Sequence, residues 1–490
     1  MGSLRFNKIL CLTTLLISLT FCQGPEQKLP GNNQPPVYPA DPIFENPALS
    51  DPSYPDLGIF ISPSGNDISG SGSMEAPYRT IGHVLSNVAQ DSDTLILRGG
   101  TYNEAIRIRR PGITIRSKSD EWAVIQTPTN NPEIDTTVIF DVDSSGSKLQ
   151  RVEIIGGYYY GIMFFTRWDW GGADRSGASH ILLEKIRVHH TGRDAIKITP
   201  GCDHITIRKS EISHSGIRYS DNAEGIDNVN GDFFLLQDSY IHDIATNGVY
   251  CKGGAMYCVI ERTRVKTTGG AGILLGFDTS PEFFDLTVNP DYYENINGLV
   301  RNCIVENTQG SGIGFYAALN AKVYNNTLIN TARSFHAPLY FGLTYQDWEP
   351  SALRPPSLNP RIKNNLIYQP SGASPTRNFL FIRYSTDLGG MSALTGMPVM
   401  DHNVYYHEDA QAGSFEDRRP GILFSGPLDG WKTHSSQEDN SFAADPMLDA
   451  TGHLSVESTC RDKGETLSEV SYDFDGEPRG GIYDIGADEI

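Results

Sequence analysis

The sequence predicts an all-β solenoid, a parallel β-helix, on three observations. The first is a phrase that recurs from Leu149 onward: apolar, two others, a small or polar residue, one other, apolar. It runs Leu149–Val152–Ile154, Leu183–Ile186–Val188, Ile207–Ser210–Ile212, Leu236–Ser239–Ile241, Ile260–Thr263–Val265, Val300–Cys303–Val305, Tyr324–Thr327–Ile329 and Ile362–Asn365–Ile367. The second is a following phrase in each repeat: "DAIKIT", "EGIDNV", "NGVYCK", "AGILLG", "SGIGFY", "APLYFG". The third is the period-2 alternation inside both phrases, with no sustained 3.6-residue pattern in any repeat. A unit this short cannot bury its inner face alone, so coils stack and share a core. A propeller would need longer, four-stranded units.

Taken in chain order, the elements begin with Arg5 and Lys8 ahead of an apolar run, Ile9 to Phe21, the pattern of a secretory signal. The run is too short for a membrane span. It ends in "LTFC", which resembles a bacterial lipobox with Cys22 as the lipidated residue, although Phe21 stands where a small residue is usual. A plain signal peptide cut elsewhere is the alternative. Residues 1–21 thus read as signal, and residues 22–56, proline-rich and aperiodic, as a tether. Residues 57–490 read as the solenoid domain. Its capping segment covers 57–100, where "APYRTIGHVLSNVAQ" puts Ile81, Val84, Leu85 and Val88 on one helical face, suited to plugging the open first coil. Coils follow to about residue 445 and a C-terminal segment from about 446. The cysteines are unevenly spaced and imply no disulfide framework; Cys251, Cys258 and Cys303 fall at apolar positions and read as core.

The stretches "GIFISPSGNDISGSGSMEAPYRTI" and "DTLILRGGTYNEAIRI" resemble the entry segment of secreted right-handed β-helix proteins of the pectin-lyase-like superfamily. The tail "CRDKGETLSEVSYDFDGEPRGGIYDIGADE" resembles their C-terminal segment. The resemblance implies a right-handed coil and a protein of the polysaccharide lyase or glycoside hydrolase type. It does not choose a reaction. The arginine motif of pectate lyases is missing, and "EGID" is a faint echo of one polygalacturonase element.

The formal charge of −20 argues against a nucleic-acid partner. It would also repel an acidic polysaccharide unless a cation or local basic groups intervene. Stacking the second phrases in register puts Ile196, Ile226, Val249, Ile273, Ile313 and Leu339 in one inward column. The next residues, Lys197, Asp227, Tyr250, Leu274, Gly314 and Tyr340, then face out. Coils lie about 4.8 Å apart, so Asp194, Lys197, Glu224, Asp227, Asn247, Tyr250 and Lys252 gather on one patch. The inserts "RWDWGGADRSGASH", "FDTSPEFFDLTVNPDYYENIN" and "LTYQDWEPSALRPPSLNP" leave just after this strand, and "IRYSDNA" enters just before it. They would wall a groove.

In that groove the crowded stretch "SDNAEGIDNVNGD" offers hard oxygens for Ca²⁺, with Glu224, Asp227, Asp221 and Asn228 as ligands. A solvated acidic turn is the other reading of the same residues. Lys252, Lys197 and Tyr250 are the candidate catalytic groups. Asp194, Asn247, Trp168, Trp170, Tyr292, Tyr293 and Trp348 are candidate substrate contacts, the rings by stacking on sugar faces. His189, His190, His214 and His242 lie on another face and read as turn residues. The leading expectation is a lipid-anchored protein of the bacterial envelope, or otherwise a secreted one, that binds acidic polysaccharide and cleaves it by Ca²⁺-assisted β-elimination. A glycoside hydrolase using Glu224 and Asp227, or a non-catalytic glycan-binding lipoprotein, are the alternatives.

Overall fold

The computed structural model describes residues 53–168, 174–345, 353–372, 378–409 and 413–490. Cys22, Trp170 and Trp348 lie outside them. Each coil contributes one short strand to each of three sheets, visited in the same order. Leu182–Glu184, Arg187–His189 and Ile196–Ile198 form one such set. Among the described residues the three sheets hold 12, 11 and 12 strands, all parallel except the last strand of the third sheet.

The recurring phrases explain the coil. Between the first and second sheets the chain turns through one residue in the left-handed region, among them Arg151, Lys185, Asp238, Asn302, Asn325 and Asn364, with φ between 50° and 58°. Asn tolerates this conformation best among residues with a side chain. The flanking apolar residues point inward, and Leu183, Ile186, Val188, Ile207 and Ile212 are fully buried. In five of the six second phrases the residue before the inward column is Gly or Ala, for a steric reason. A Cβ on Gly225 would stand 2.5 Å from the Gly248 carbonyl oxygen, and one on Gly248 2.5 Å from that of Gly272. Larger residues would push successive coils apart.

One repeat differs from expectation by a single residue. Val323 pairs with Ile362 and Leu328 with Ile367, so the inward set is Val323–Asn326–Leu328 rather than Tyr324–Thr327–Ile329. The cause is an internal amide ladder. Asn326 Nδ2 donates to Asn365 Oδ1 at 2.9 Å, and Asn365 Nδ2 to Asn403 Oδ1 at 3.1 Å. A buried polar column that satisfies itself takes the place a small residue fills elsewhere.

Both ends are closed. Helix α1, Ile81–Asn87, is capped by Thr80, whose hydroxyl accepts from His83 N at 3.2 Å. Its Ile81 and Val84 are buried on the core, with Leu85 and Val88 packed partly against it. Helix α2, Leu428–Ser435, seats Trp431 on Phe415 with ring centroids 5.5 Å apart. The five described cysteines are buried and free.

Candidate functional site

The third sheet builds the site. Its register pairs Ile196 with Ile226 and Ile226 with Val249, and hence Lys197 with Asp227 and Asp227 with Tyr250. Val229 pairs with Lys252. Side chains alternate across the sheet, so Lys197, Asp227 and Tyr250 share the outer face, and the residues two ahead of the inward column, Asp194, Glu224 and Asn247, stand beside them. The inserts leave where expected, after the strands Tyr160–Phe164, Ile273–Leu275 and Leu339–Gly342, and residues 217–223 enter just before Ile226–Val229.

Three carboxylates converge there. Oxygens of Asp194, Glu224 and Asp227 lie within 4.8 Å of one another, and all three residues are buried. Glu224 Oε1 accepts from Thr246 Oγ1 at 2.9 Å and from Asn247 Nδ2 at 3.3 Å. The backbone N–H of Glu224 donates to Asp194 Oδ1 at 3.3 Å. Asp227 Oδ2 is ion-paired with Lys197 Nζ. Glu224 Oε2 and Asp227 Oδ1 are buried without a hydrogen-bond partner. Burying charge without partners is costly, and these two oxygens are left without that compensation.

The three groups are held in different states. Burial, then the charges of Glu224 and Asp227, raise the Asp194 carboxyl well above its ordinary range. Burial also penalises the Asp227 carboxylate, but Lys197, and after it Lys252, outweigh this and hold it below that range. For Lys197 burial is overcome by Asp227, Tyr160 and Asp194, which together raise its amine. Burial and the nearby carboxylates of Asp227, Glu224 and Asp194 push the Tyr250 phenol well up, so it is a neutral hydroxyl. Lys252 Nζ donates to the Asp278 carbonyl oxygen at 3.1 Å and sits 4.3 Å from the Tyr250 ring centroid.

Several expectations need correction. Asn228 follows Asp227 and therefore points inward, where its amide bonds Gly231 O at 2.9 Å and Gly231 N at 2.9 Å; it is no ligand. Asp221 is exposed on the entering loop and outside the carboxylate cluster, whose third member is Asp194. Lys197, a candidate catalytic group, is instead the charge partner of Asp227, and the neighbouring carboxylate raises its amine. Trp168 is buried between loops, donating from Nε1 to Glu282 O at 3.0 Å under the Arg175 guanidinium. Tyr292 packs on Phe284 and Arg354, and Tyr293 is half-buried with its backbone bonded to Asn289. These rings stabilise the wall. Asn247 is committed to Glu224 and, through Oδ1, to Ala271 N at 2.9 Å.

The aromatic rings beneath the groove are buried as well. Tyr250, Leu274, Tyr316 and Tyr340 form a cluster of their own, with Phe277 stacked 5.8 Å from Tyr250. Stacking one coil further back also sets Tyr160 in register with Asp194, since Ile162 pairs with Ile196.

Residues 171–346, which contain this site, match the family model described as a right handed beta helix region. The chain has a right-handed parallel β-helix fold. Among solved β-helices, the pectate lyase Pel9A aligns with a TM-score of 0.52 at 16% identity, covering 88% of this chain and 97% of that one. XylC in complex with xylose aligns with a TM-score of 0.52 at 10% identity, covering 88% and 98%. No curated protein matches this β-helix in sequence.

Proposed function

We propose that this β-helix binds an acidic polysaccharide in the groove over its third sheet and cleaves it by β-elimination. The observation that carries the reading is the buried surplus of carboxylate, with Glu224 Oε2 and Asp227 Oδ1 unpartnered beside Asp194. Such a donor set fits Ca²⁺, a hard cation taking oxygen ligands. Asp194, Glu224 and Asp227 would hold it, and when bound it would neutralise the carboxylate of a uronate sugar and so acidify the adjoining C–H.

The chain's own groups would then divide the work. Lys252 is half-buried at the rim and, among the described residues, bonds a carbonyl rather than a carboxylate. In its neutral form it accepts the C5 proton. The electron pair left behind forms the C4–C5 double bond as the C4–O4 bond breaks. The departing oxygen takes a proton from the neutral Tyr250 hydroxyl. Lys197 keeps Asp227 ionised and in place. The pectate lyase of similar fold supports the substrate class. An envelope tether through lipidated Cys22 completes the reading, and lipid labelling lost in Cys22→Ala is its check.

A second reading has its own observation. Asp194 resists ionisation while Asp227 is held ionised, the division between acid and base that a glycoside hydrolase needs. The experiment is depolymerisation of a panel of polyuronates and neutral glycans, with Ca²⁺ or with EDTA. Elimination predicts new ultraviolet absorbance from unsaturated ends, abolished by EDTA, by Asp227→Asn and by Lys252→Ala. Reducing ends without that absorbance would establish hydrolysis, and saturable glycan binding with neither signal would leave a non-catalytic binding protein.

A further inference from the structure

We infer that the outer face of the second sheet carries a transition-metal site made by His214, His242 and Asp243, separate from the carboxylate cluster of the third sheet. A ring nitrogen of each histidine and a carboxylate oxygen of Asp243 lie within 4.8 Å of one another. The coil brings them together. Ser213 pairs with His242, so His214 lies beneath Asp243, and His214 N donates to Asp243 O at 3.1 Å. His214, just past the strand Glu211–Ser213, and Asp243, inside the strand Tyr240–Ile244, both take the left-handed conformation, φ 50° and 51°. Ser213 is the small residue below the His242 ring.

Two further observations point to an ion. His214 Nδ1 is buried without a hydrogen-bond partner, and the His214 ring is held by stacking on His190 at 4.6 Å. His242 is also oriented from behind. Its Nε2 meets Glu211 Oε1 at 3.3 Å, and Arg187 Nε is 3.0 Å from Glu211 Oε2. A carboxylate behind the far nitrogen of a ligating histidine fixes the ring and raises its basicity. Nδ1 of His242 and Oδ2 of Asp243, now 2.8 Å apart, would turn to the same ion, and the proton between them would leave to solvent. Two imidazoles and one carboxylate suit Zn²⁺, with the remaining position open to water, and disfavour Ca²⁺.

The test uses the tag-free full chain stripped of metal and titrated with Zn²⁺ in excess Ca²⁺, which occupies an oxygen-only site. Titration calorimetry and the visible spectrum of Co²⁺ as a substitute are the readouts. One Zn²⁺ per chain is expected. His214→Asn and Asp243→Asn should each weaken binding at least about 10-fold, and Glu211→Gln by about 10-fold. Asparagine is chosen because it tolerates the left-handed backbone at both positions, and circular dichroism checks that the variants fold. No binding, unchanged binding in both variants, or loss only in His453→Asn, which lies in a different cluster with Asp475 and Asp488, would overturn the inference.

Discussion

Asp194 and Asp227 carry the same functional group on neighbouring coils and should respond oppositely to the same substitution. Asp227 is the charge partner of a lysine whose side chain is 19% exposed. Asp227→Asn therefore strands a mostly buried ammonium, and breaking such a pair costs about 3 kcal/mol. Asp194 is crowded by two carboxylates that oppose its ionisation, so Asp194→Asn removes repulsion and should leave the melting temperature unchanged or raise it. Denaturant unfolding in EDTA compares the two; equal losses would contradict the assignment. Alternation made Glu224 and Asp227 legible in the sequence as neighbours on an outer face. The same rule excludes Asn228, whose oxygen-rich surroundings suggested a ligand although its position is inward. Asp194 was legible as a member of the patch but not as a member of the cluster, because its state depends on burial and on the charges of Glu224 and Asp227, which leave no periodic trace.

Glu438 is a second residue whose charge state is set by packing. It is almost fully buried, and burial pushes its carboxyl up to about 7 despite bonds from Ser441, Tyr405 and Asn403. A carboxyl raised above its unfolded value stabilises the fold fully below about pH 4.5 and loses that contribution as pH rises through about 7. Between those limits the wild type should lose on the order of 3 kcal/mol from this group alone. Glu438→Gln should flatten that limb when unfolding free energies are measured at pH 5 and pH 8.

At the scale of the element, the second phrase of each repeat owes its small residue to contact between coils. Gly225, Gly248 and Gly272 form a column in which each added Cβ would strike backbone of the next coil or side chains of the core. Gly248→Ala should cost about 2 kcal/mol by overpacking, although alanine suits the local backbone. Unfolding of this variant beside Gly372→Ala, a glycine with open space and φ 69°, separates the two causes, since the latter loses only conformational ease. The phrase itself was fully legible. The one misreading lies in the first phrase, at Tyr324, where an asparagine ladder and an apolar residue at the neighbouring position present the same alternation one step out of phase.

A solenoid stabilises each coil through its neighbours alone, so the molecule as a whole gains from any segment that ties distant coils together. The C-terminal segment does this along the corner between the first and second sheets. Asn302 Nδ2 donates to Tyr472 O at 2.6 Å, Asn325 Nδ2 to Asp484 O at 3.1 Å, and Asn364 Nδ2 to Glu465 O at 2.8 Å. Those asparagines are the left-handed corner residues of successive coils, so the residue that turns each coil also clips the tail. Arg479, its side chain fully buried, pins the strap by donating to the carbonyls of Gly486 and Ala487 at 2.9 and 2.8 Å and to Asn302 Oδ1 at 3.3 Å. The tail's resemblance to terminal segments of the fold marked where it begins, whereas its clasp on corners more than 100 residues away could not be read, because side chain to backbone bonds across that separation follow no repeat. Arg479→Ala should release the segment before the coils melt. Limited proteolysis is expected to cut first within 446–490, with amide exchange quickening at the Asn302, Asn325 and Asn364 corners and not at α1. Uniform loss of protection along the whole solenoid would show instead that the arginine supports the core rather than the strap.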